Sequence, residues 1–103
     1  MTRLDQEPST GGILIIDDEE LVRRTMRAIL EAGYTVFEAV SGAEGFELFS
    51  RSHDRISAAL LDLNMGLLGG YEVCRQIRGI SSGCVCGDFE RLRESRRYAA
   101  VRG

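Results

Sequence analysis

The sequence contains no lysine, because all 13 of its basic side chains are arginine, and it carries 16 acidic side chains for a formal charge of −3. It holds a single proline, at position 8. No apolar run approaches the roughly 18 residues that a membrane-spanning helix needs, and residues 1–12 lack the basic start and apolar middle of a secretion signal. We therefore expect a cytoplasmic protein with no membrane segment.

The length of 103 residues fits one small domain and leaves no room for a multi-domain enzyme. Charge is divided unevenly, with a formal −7 in residues 1–74 and +4 in residues 75–103. An acidic part of this size argues against a nucleic-acid surface. The arginine-rich end is typical of a solvated helix face. We expect no direct binding of nucleic acid.

The three cysteines, Cys74, Cys84 and Cys86, are an odd number of thiols, which in a cytosolic chain predicts free cysteines rather than disulfides. Cys84 and Cys86 form a C-x-C pair with no second pair and one distant histidine, His53. This is a weak pattern for zinc. We interpret these residues as small buried thiols.

Strand-like runs alternate with helical patterns between residues 12 and 78, after a polar stretch, residues 1–11, that predicts a flexible N-terminal tail. Residues 13–16 and 56–61 are apolar without alternation, as in strands buried on both faces of a parallel sheet. Residues 34–39 are rich in β-branched and aromatic side chains. The alternation predicts an α/β fold with a parallel sheet and right-handed crossovers.

Three helices are expected between and after these strands. The first helix is amphipathic, and its predicted inner side chains are Leu21, Val22, Met26, Ile29 and Leu30. Its predicted outer side chains are Arg23, Arg24, Arg27 and Glu31. The second begins at Ser41, in an S-x-x-E capping box with Glu44. The third covers about residues 71–78, with Val73, Cys74 and Ile77 on its inner side.

Acidic side chains follow two of the buried strands: Asp17 and Asp18 follow the first, and Asp62 follows the third. If these strands are neighbours, as in the flavodoxin-like order 2-1-3-4-5, the three acids meet at one edge of the sheet. Their mutual repulsion would be relieved by a hard divalent ion such as Mg²⁺, which prefers oxygen ligands. Any one acid taken alone could equally be a helix N-cap or a solvated loop residue.

Two segments resemble the receiver domain of two-component response regulators. Residues 13–20, ILIIDDEE, are similar to its first strand and acidic pair. Residues 60–65, LLDLNM, followed by Gly70, are similar to its phosphoacceptor segment, and the 44-residue separation of Asp18 and Asp62 is typical of the family. The resemblance covers a receiver core of about residues 12–78 and implies a three-layer flavodoxin-like fold.

The resemblance implies a phosphorelay signalling domain rather than an enzyme. Asp62 would accept a phosphoryl group from a histidine kinase or a phosphotransfer protein. Asp18 would bind Mg²⁺ directly, Asp17 would bind it directly or through water, and Asn64 would offer its backbone carbonyl. A metal-dependent phosphohydrolase is disfavoured, because hydrolases with an aspartate nucleophile commonly need a second acid at the position of Asn64.

The chain departs from the family pattern at several positions. Gly66 replaces a usual proline and Gly69 a usual polar residue, which should loosen the loop after Asp62. The family's lysine after the fifth strand cannot be supplied by a chain without lysine. Ser81 and Ser82 come too early for its hydroxyl after the fourth strand. The alternative function is therefore a pseudo-receiver, a binding module that does not switch on phosphorylation.

Residues 79–103 are too few for two further strand-helix units, which need roughly 45 residues. We therefore expect a divergent or truncated C-terminal segment and a sheet that is incomplete after the third βα unit. An open sheet edge exposes unpaired backbone groups and would favour a homodimer.

Overall fold

A computed structural model of the chain describes residues 11–62 and 69–87. Its elements are β1 (Gly12–Ile16), α1 (Glu20–Leu30), β2 (Thr35–Ala39), α2 (Gly42–Ser52), a 3-10 turn (His53–Arg55), β3 (Ala58–Leu61), α3 (Gly70–Ile80) and β4 (Val85–Gly87). The strands form one parallel sheet in the order β2-β1-β3-β4. The predicted α/β fold is confirmed, and the order is that of the first four strands of a flavodoxin-like sheet.

The centre of the sheet is β1, whose residues are all buried and which pairs with β2 on one side and β3 on the other. Successive side chains of a strand point to opposite faces. The α2/α3 face contains Leu14, Ile16, Ala59, Leu61, Phe49, Val73 and Ile77. The α1 face contains Ile13, Ile15, Ala58, Leu60 and Leu30. No helix in the described part of the chain has the length and apolar character to cross a membrane.

The predicted inner face of α1 is wrong at two positions. Leu21 is 75% exposed and Ile29 is 64% exposed, whereas the predicted outer residues Arg23 and Arg27 are partly buried. The reason lies on β2, where Glu38 accepts hydrogen bonds from both arginines. The ion pairs and the aliphatic stems of the arginines therefore turn this side of α1 toward the sheet.

The other two helices agree with the sequence. The Glu44 N–H donates to the side chain of the N-cap, Ser41 Oγ, at 3.1 Å, which confirms the capping interaction predicted at the start of α2. The Glu44 carboxylate accepts at 2.6 Å from the N–H of Val40, one residue before the N-cap. Of the α3 residues, Val73, Cys74 and Ile77 are buried as predicted.

The sheet has a fourth strand after the third βα unit, within the segment that the sequence predicts to be divergent or truncated. The short strand β4 pairs with β3 through Val85, Cys86 and Gly87. The tail expected over residues 1–11 is described only at Gly11, whose carbonyl accepts from the Thr35 N–H at 3.2 Å. Residues 88–103 of the C-terminal segment lie outside the described residues.

Candidate functional site

The carboxyl edge of the sheet, where β1 and β3 end, holds the three acids that the sequence singles out. Ile16 and Leu61 are paired residues of the two neighbouring strands. Asp17 and Asp62 each come directly after one member of that pair, and Asp18 follows Asp17. The strands are therefore neighbours, as the prediction of an acidic edge requires.

Asp17 is fixed in place by its backbone and by its side chain. Its N–H donates to the Ala39 carbonyl at 3.1 Å, which extends the β1–β2 ladder by one residue. Its Oδ1 accepts from the Glu19 N–H at 2.9 Å and so closes the turn into α1. Its carbonyl accepts from Arg23 Nη1 at 2.8 Å. The first acid after β1 thus has a defined position with a half-buried side chain.

Asp18 and Asp62 are both exposed, and a carboxylate at such a position is accessible to a reacting group or an ion. These groups have the oxygen donors that Mg²⁺ prefers, and they lie at the end of a parallel sheet where ligands commonly bind. Within residues 11–62 and 69–87, no three histidine, cysteine or acidic side chains form a group that could hold a metal ion. The metal set Asp17, Asp18, Asp62 and Asn64 therefore stays a prediction.

Asn64 and Gly66 fall in residues 63–68, outside the described residues. Ser81 is the C-cap of α3, and Ser82 also precedes β4. In a parallel sheet a residue before a strand lies at the amino edge, opposite the edge where the acids lie. On β4, Gly87 pairs with Leu60, two residues before Asp62. Neither serine is thus placed to contact a group on Asp62.

The cysteines belong to the core. Cys74, Cys84 and Cys86 are not joined in disulfides and are buried, as predicted, and all three lie on the α2/α3 face. A hydrogen bond with Cys74, together with burial, raises the pKa of the Cys86 thiol. Because the thiolate is the reactive and metal-binding form, the raised pKa disfavours reaction or metal binding at Cys86.

A charged cluster on α1 and β2 was not predicted from the sequence. Arg23 Nε contacts Glu38 Oε1 at 3.3 Å, Arg27 Nε also bonds the Glu38 carboxylate, and Arg27 Nη2 donates to the Val36 carbonyl at 3.2 Å. The hydrogen bonds that the Glu38 carboxylate accepts lower its pKa, and the bond from Arg27 has a larger effect than the bond from Arg23. The only sequence signal is the spacing of four residues between the arginines, which places them on one side of a helix.

The family model of the response regulator receiver domain matches residues 13–86, which include the three helices of the described residues and their four strands except the terminal Gly12 and Gly87. The chain belongs to this family. The receiver domain is a signalling module of two-component systems, and the resemblance of the two acidic segments is thereby confirmed.

Two curated relatives each match 67 residues of this chain. The response regulator MprA of Mycobacterium ulcerans is 45% identical over 67 residues, which are 64% of this chain and 28% of that protein. A probable transcriptional regulator, ycf27 of Porphyridium aerugineum, is 42% identical over 67 residues, 64% of this chain and 27% of that protein. The chain therefore matches less than a third of the length of these relatives.

A solved structure with the same fold is a response regulator receiver domain protein from Clostridium thermocellum. It superposes with a TM-score of 0.71 at 30% sequence identity, over 74% of this chain and 61% of that chain. The sheet and helices described above are thus those of a receiver domain.

Proposed function

We propose that this receiver domain accepts a phosphoryl group on Asp62 from a histidine kinase or a phosphotransfer protein, with Mg²⁺ as cofactor. The observation that carries the proposal is the register of β1 and β3. It brings Asp17 and Asp62 directly after paired residues of neighbouring strands, with Asp18 beside them. Acids from two strands then share one edge of the sheet.

In the proposed reaction, an oxygen of the Asp62 carboxylate attacks the phosphorus of a phosphohistidine. The new P–O bond forms as the P–N bond breaks, and the electron pair of that bond returns to the imidazole nitrogen. Asp62 is exposed, so a donor can reach it from solvent. The product is an aspartyl phosphate at the end of β3.

Mg²⁺ would be held by Asp17 and Asp18 after β1, by Asp62, and by the backbone carbonyl of Asn64. When bound, the ion reduces the repulsion between a carboxylate and an anionic phosphoryl group. The contribution of this chain is to hold Asp17 by three hydrogen bonds, so that one side of the site is fixed before an ion arrives.

The test uses acetyl phosphate or beryllofluoride with Mg²⁺. Wild-type protein should gain the mass of one phosphoryl group with acetyl phosphate, and its amide NMR shifts near β1 and β3 should move with beryllofluoride. Asp62→Asn should abolish both signals, since the amide is not a nucleophile. Asp54→Asn is the matched control, because Asp54 is also exposed but lies in the 3-10 turn before β3. Loss of signal in the control as well would contradict the assignment.

A pseudo-receiver is the second candidate, and a specific observation favours it. No lysine exists in these 103 residues, and the nearby serines precede β4. A wild-type chain that is folded but shows no Mg²⁺-dependent change with either reagent would establish this alternative, a binding module without phosphorylation.

The partners follow from the same proposal. Phosphorylation by a histidine kinase implies that the domain works in the cytoplasm. A homodimer would be detected as a molecular mass in solution that increases with protein concentration. The described residues carry acids at the proposed site, which disfavours nucleic acid there.

A further inference from the structure

Arg23 connects the acidic edge to the neighbouring strand β2. Its Nη1 donates to the carbonyl oxygen of Asp17 at 2.8 Å, and its Nε donates to Glu38 Oε1 at 3.3 Å. The side chain is only 14% exposed. Arg23 therefore uses two different nitrogens to join the residue after β1 to the penultimate residue of β2, a geometry that the planar guanidinium allows.

Glu38 holds Arg23 in this position. The carboxylate of Glu38 also binds Arg27, which in turn bonds the Val36 carbonyl at 3.2 Å and pairs with Glu31 at 3.3 Å. The two arginines and two glutamates carry no formal net charge together. The cluster should therefore affect the acidic edge through its geometry more than through its field.

The Asp17 carbonyl is part of the peptide group that joins Asp17 to Asp18. A hydrogen bond to this oxygen restricts the rotation of that peptide plane and so restricts the directions in which both acids can point. The Asp17 N–H and Oδ1 have their own partners, Ala39 and Glu19, so Arg23 supplies the remaining backbone restraint on Asp17.

We propose that Arg23, held by Glu38, is a positioning residue that fixes the Asp17–Asp18 peptide for Mg²⁺ binding at the carboxyl edge. The inference rests on the proposed function. It assigns to α1 and β2 a supporting role in a site whose carboxylates follow β1 and β3. Arg23 itself contacts no reacting atom.

The experiment compares the half-saturating Mg²⁺ concentration of wild type and variants by titration followed in amide NMR spectra. Arg23→Gln should raise that concentration by about 10-fold, the usual cost of losing a residue that orients a metal ligand. The matched control is Arg24→Gln, on the same helix, whose pair with Glu20 at 3.7 Å is between side chains more than 70% exposed. The control should stay within about two-fold of wild type.

Two further measurements separate positioning from general loss of structure. In Mg²⁺-free protein, the amides of Asp18 and Glu19 should exchange faster in Arg23→Gln, while amides of α3 keep their protection. At saturating Mg²⁺, the rate of Asp62 modification by acetyl phosphate should return to within about two-fold of wild type. Arg23→Lys keeps the charge but has one nitrogen in place of a fork, so it should lie between wild type and Arg23→Gln.

A folded Arg23→Gln variant with unchanged half-saturation, beside a wild type that responds to Mg²⁺, overturns this inference and leaves the proposed function intact. A wild type without any Mg²⁺ response overturns both. If Arg23→Gln does not fold, Glu38→Gln is the second variant, because it leaves Arg23 in place and weakens its anchor. That variant should show a smaller rise in the same direction, and the absence of a rise would again overturn the inference.

Discussion

The two faces of the sheet are held to their helices by different interactions. On the α2/α3 face, the sheet and the helices are in contact through apolar side chains and thiols. Among them Phe49, Val73 and Ile77 are fully buried. On the α1 face, the buried cluster contains one helical side chain among the described residues, that of Leu30. The remaining attachment of α1 includes the hydrogen bonds between its arginines and Glu38 of β2. The faces therefore differ in how much of their attachment comes from apolar packing.

This difference separates stability from function in the receiver domain. On the α1 side, Arg23 donates a hydrogen bond directly to the Asp17 carbonyl at the acidic edge. Apolar burial is roughly proportional to area and carries no direction, while a hydrogen bond fixes an orientation. We infer that the α2/α3 face supplies most of the folding free energy and that the α1 face orients the site.

The largest expected effect comes from two adjacent isoleucines of β1 that point to opposite faces. Ile16 lies on the α2/α3 face and Ile15 on the α1 face, and their exposures are 0% and 1%. Ile16→Ala should reduce the free energy of unfolding by about 4 kcal/mol and Ile15→Ala by about 2 to 3 kcal/mol, because a site between two helices collapses less around a cavity. Urea unfolding measures both.

The two variants control for each other, since residue type, strand and burial are the same. An equal or larger loss in Ile15→Ala would contradict the proposed difference between the faces. It would mean that α1 packs on the sheet as rigidly as α2 and α3 do.

A smaller effect is expected at Gly45, where α2 lies close to β1. A Cβ added to Gly45 would lie 2.8 Å from Ile16 Cγ1 and would overlap its Cδ1. Overpacking costs about 1 to 3 kcal/mol, and the higher helix propensity of alanine returns at most about 1 kcal/mol. Gly45→Ala should therefore destabilise the domain by about 1 kcal/mol.

A double-mutant cycle sharpens this prediction. Ile16→Val removes Cδ1 but keeps Cγ1, so it relieves part of the overlap and Gly45→Ala should cost less in that background. Gly79→Ala is the matched control, because the same substitution in α3 meets no atom within 4 Å and should not destabilise. Additive effects of Gly45→Ala and Ile16→Val would show that the two residues are not in contact.

The same comparison explains which features the sequence predicts. The first three strands, the capping interaction at the start of α2 and the inner side of α3 are predicted from local patterns of apolar spacing and hydrogen-bonding side chains. The structure confirms all of them. The prediction that the acids share one edge also depends on β1 and β3 being neighbours, and the strand order of the sheet makes them so. Hydrophobic periodicity thus accounts well for the α2/α3 face.

Periodicity fails on α1 because the deciding partner lies on another element. Leu21 and Ile29 have the spacing of inner residues, yet Arg23 and Arg27 face the sheet because Glu38 is on β2. The strand β4 is hard to predict for a similar reason. It has three residues, and its small side chains Cys86 and Gly87 become strand-like through pairing with β3.

The smallest expected effect tests the charged attachment of the α1 face through pH. Hydrogen bonds from Arg27 and Arg23 lower the pKa of Glu38 below its ordinary value of 4.5. A carboxylate with a lowered pKa stabilises the folded state above its unfolded pKa, and this contribution is lost as the pH falls through the folded value. Glu38→Gln should therefore cost up to about 1 kcal/mol at neutral pH. The difference from wild type should shrink as the pH falls below about 4.5, as measured by urea unfolding from pH 7 to 3. A constant difference over that range would mean that packing of the side chain, and not its charge, attaches α1 at this point.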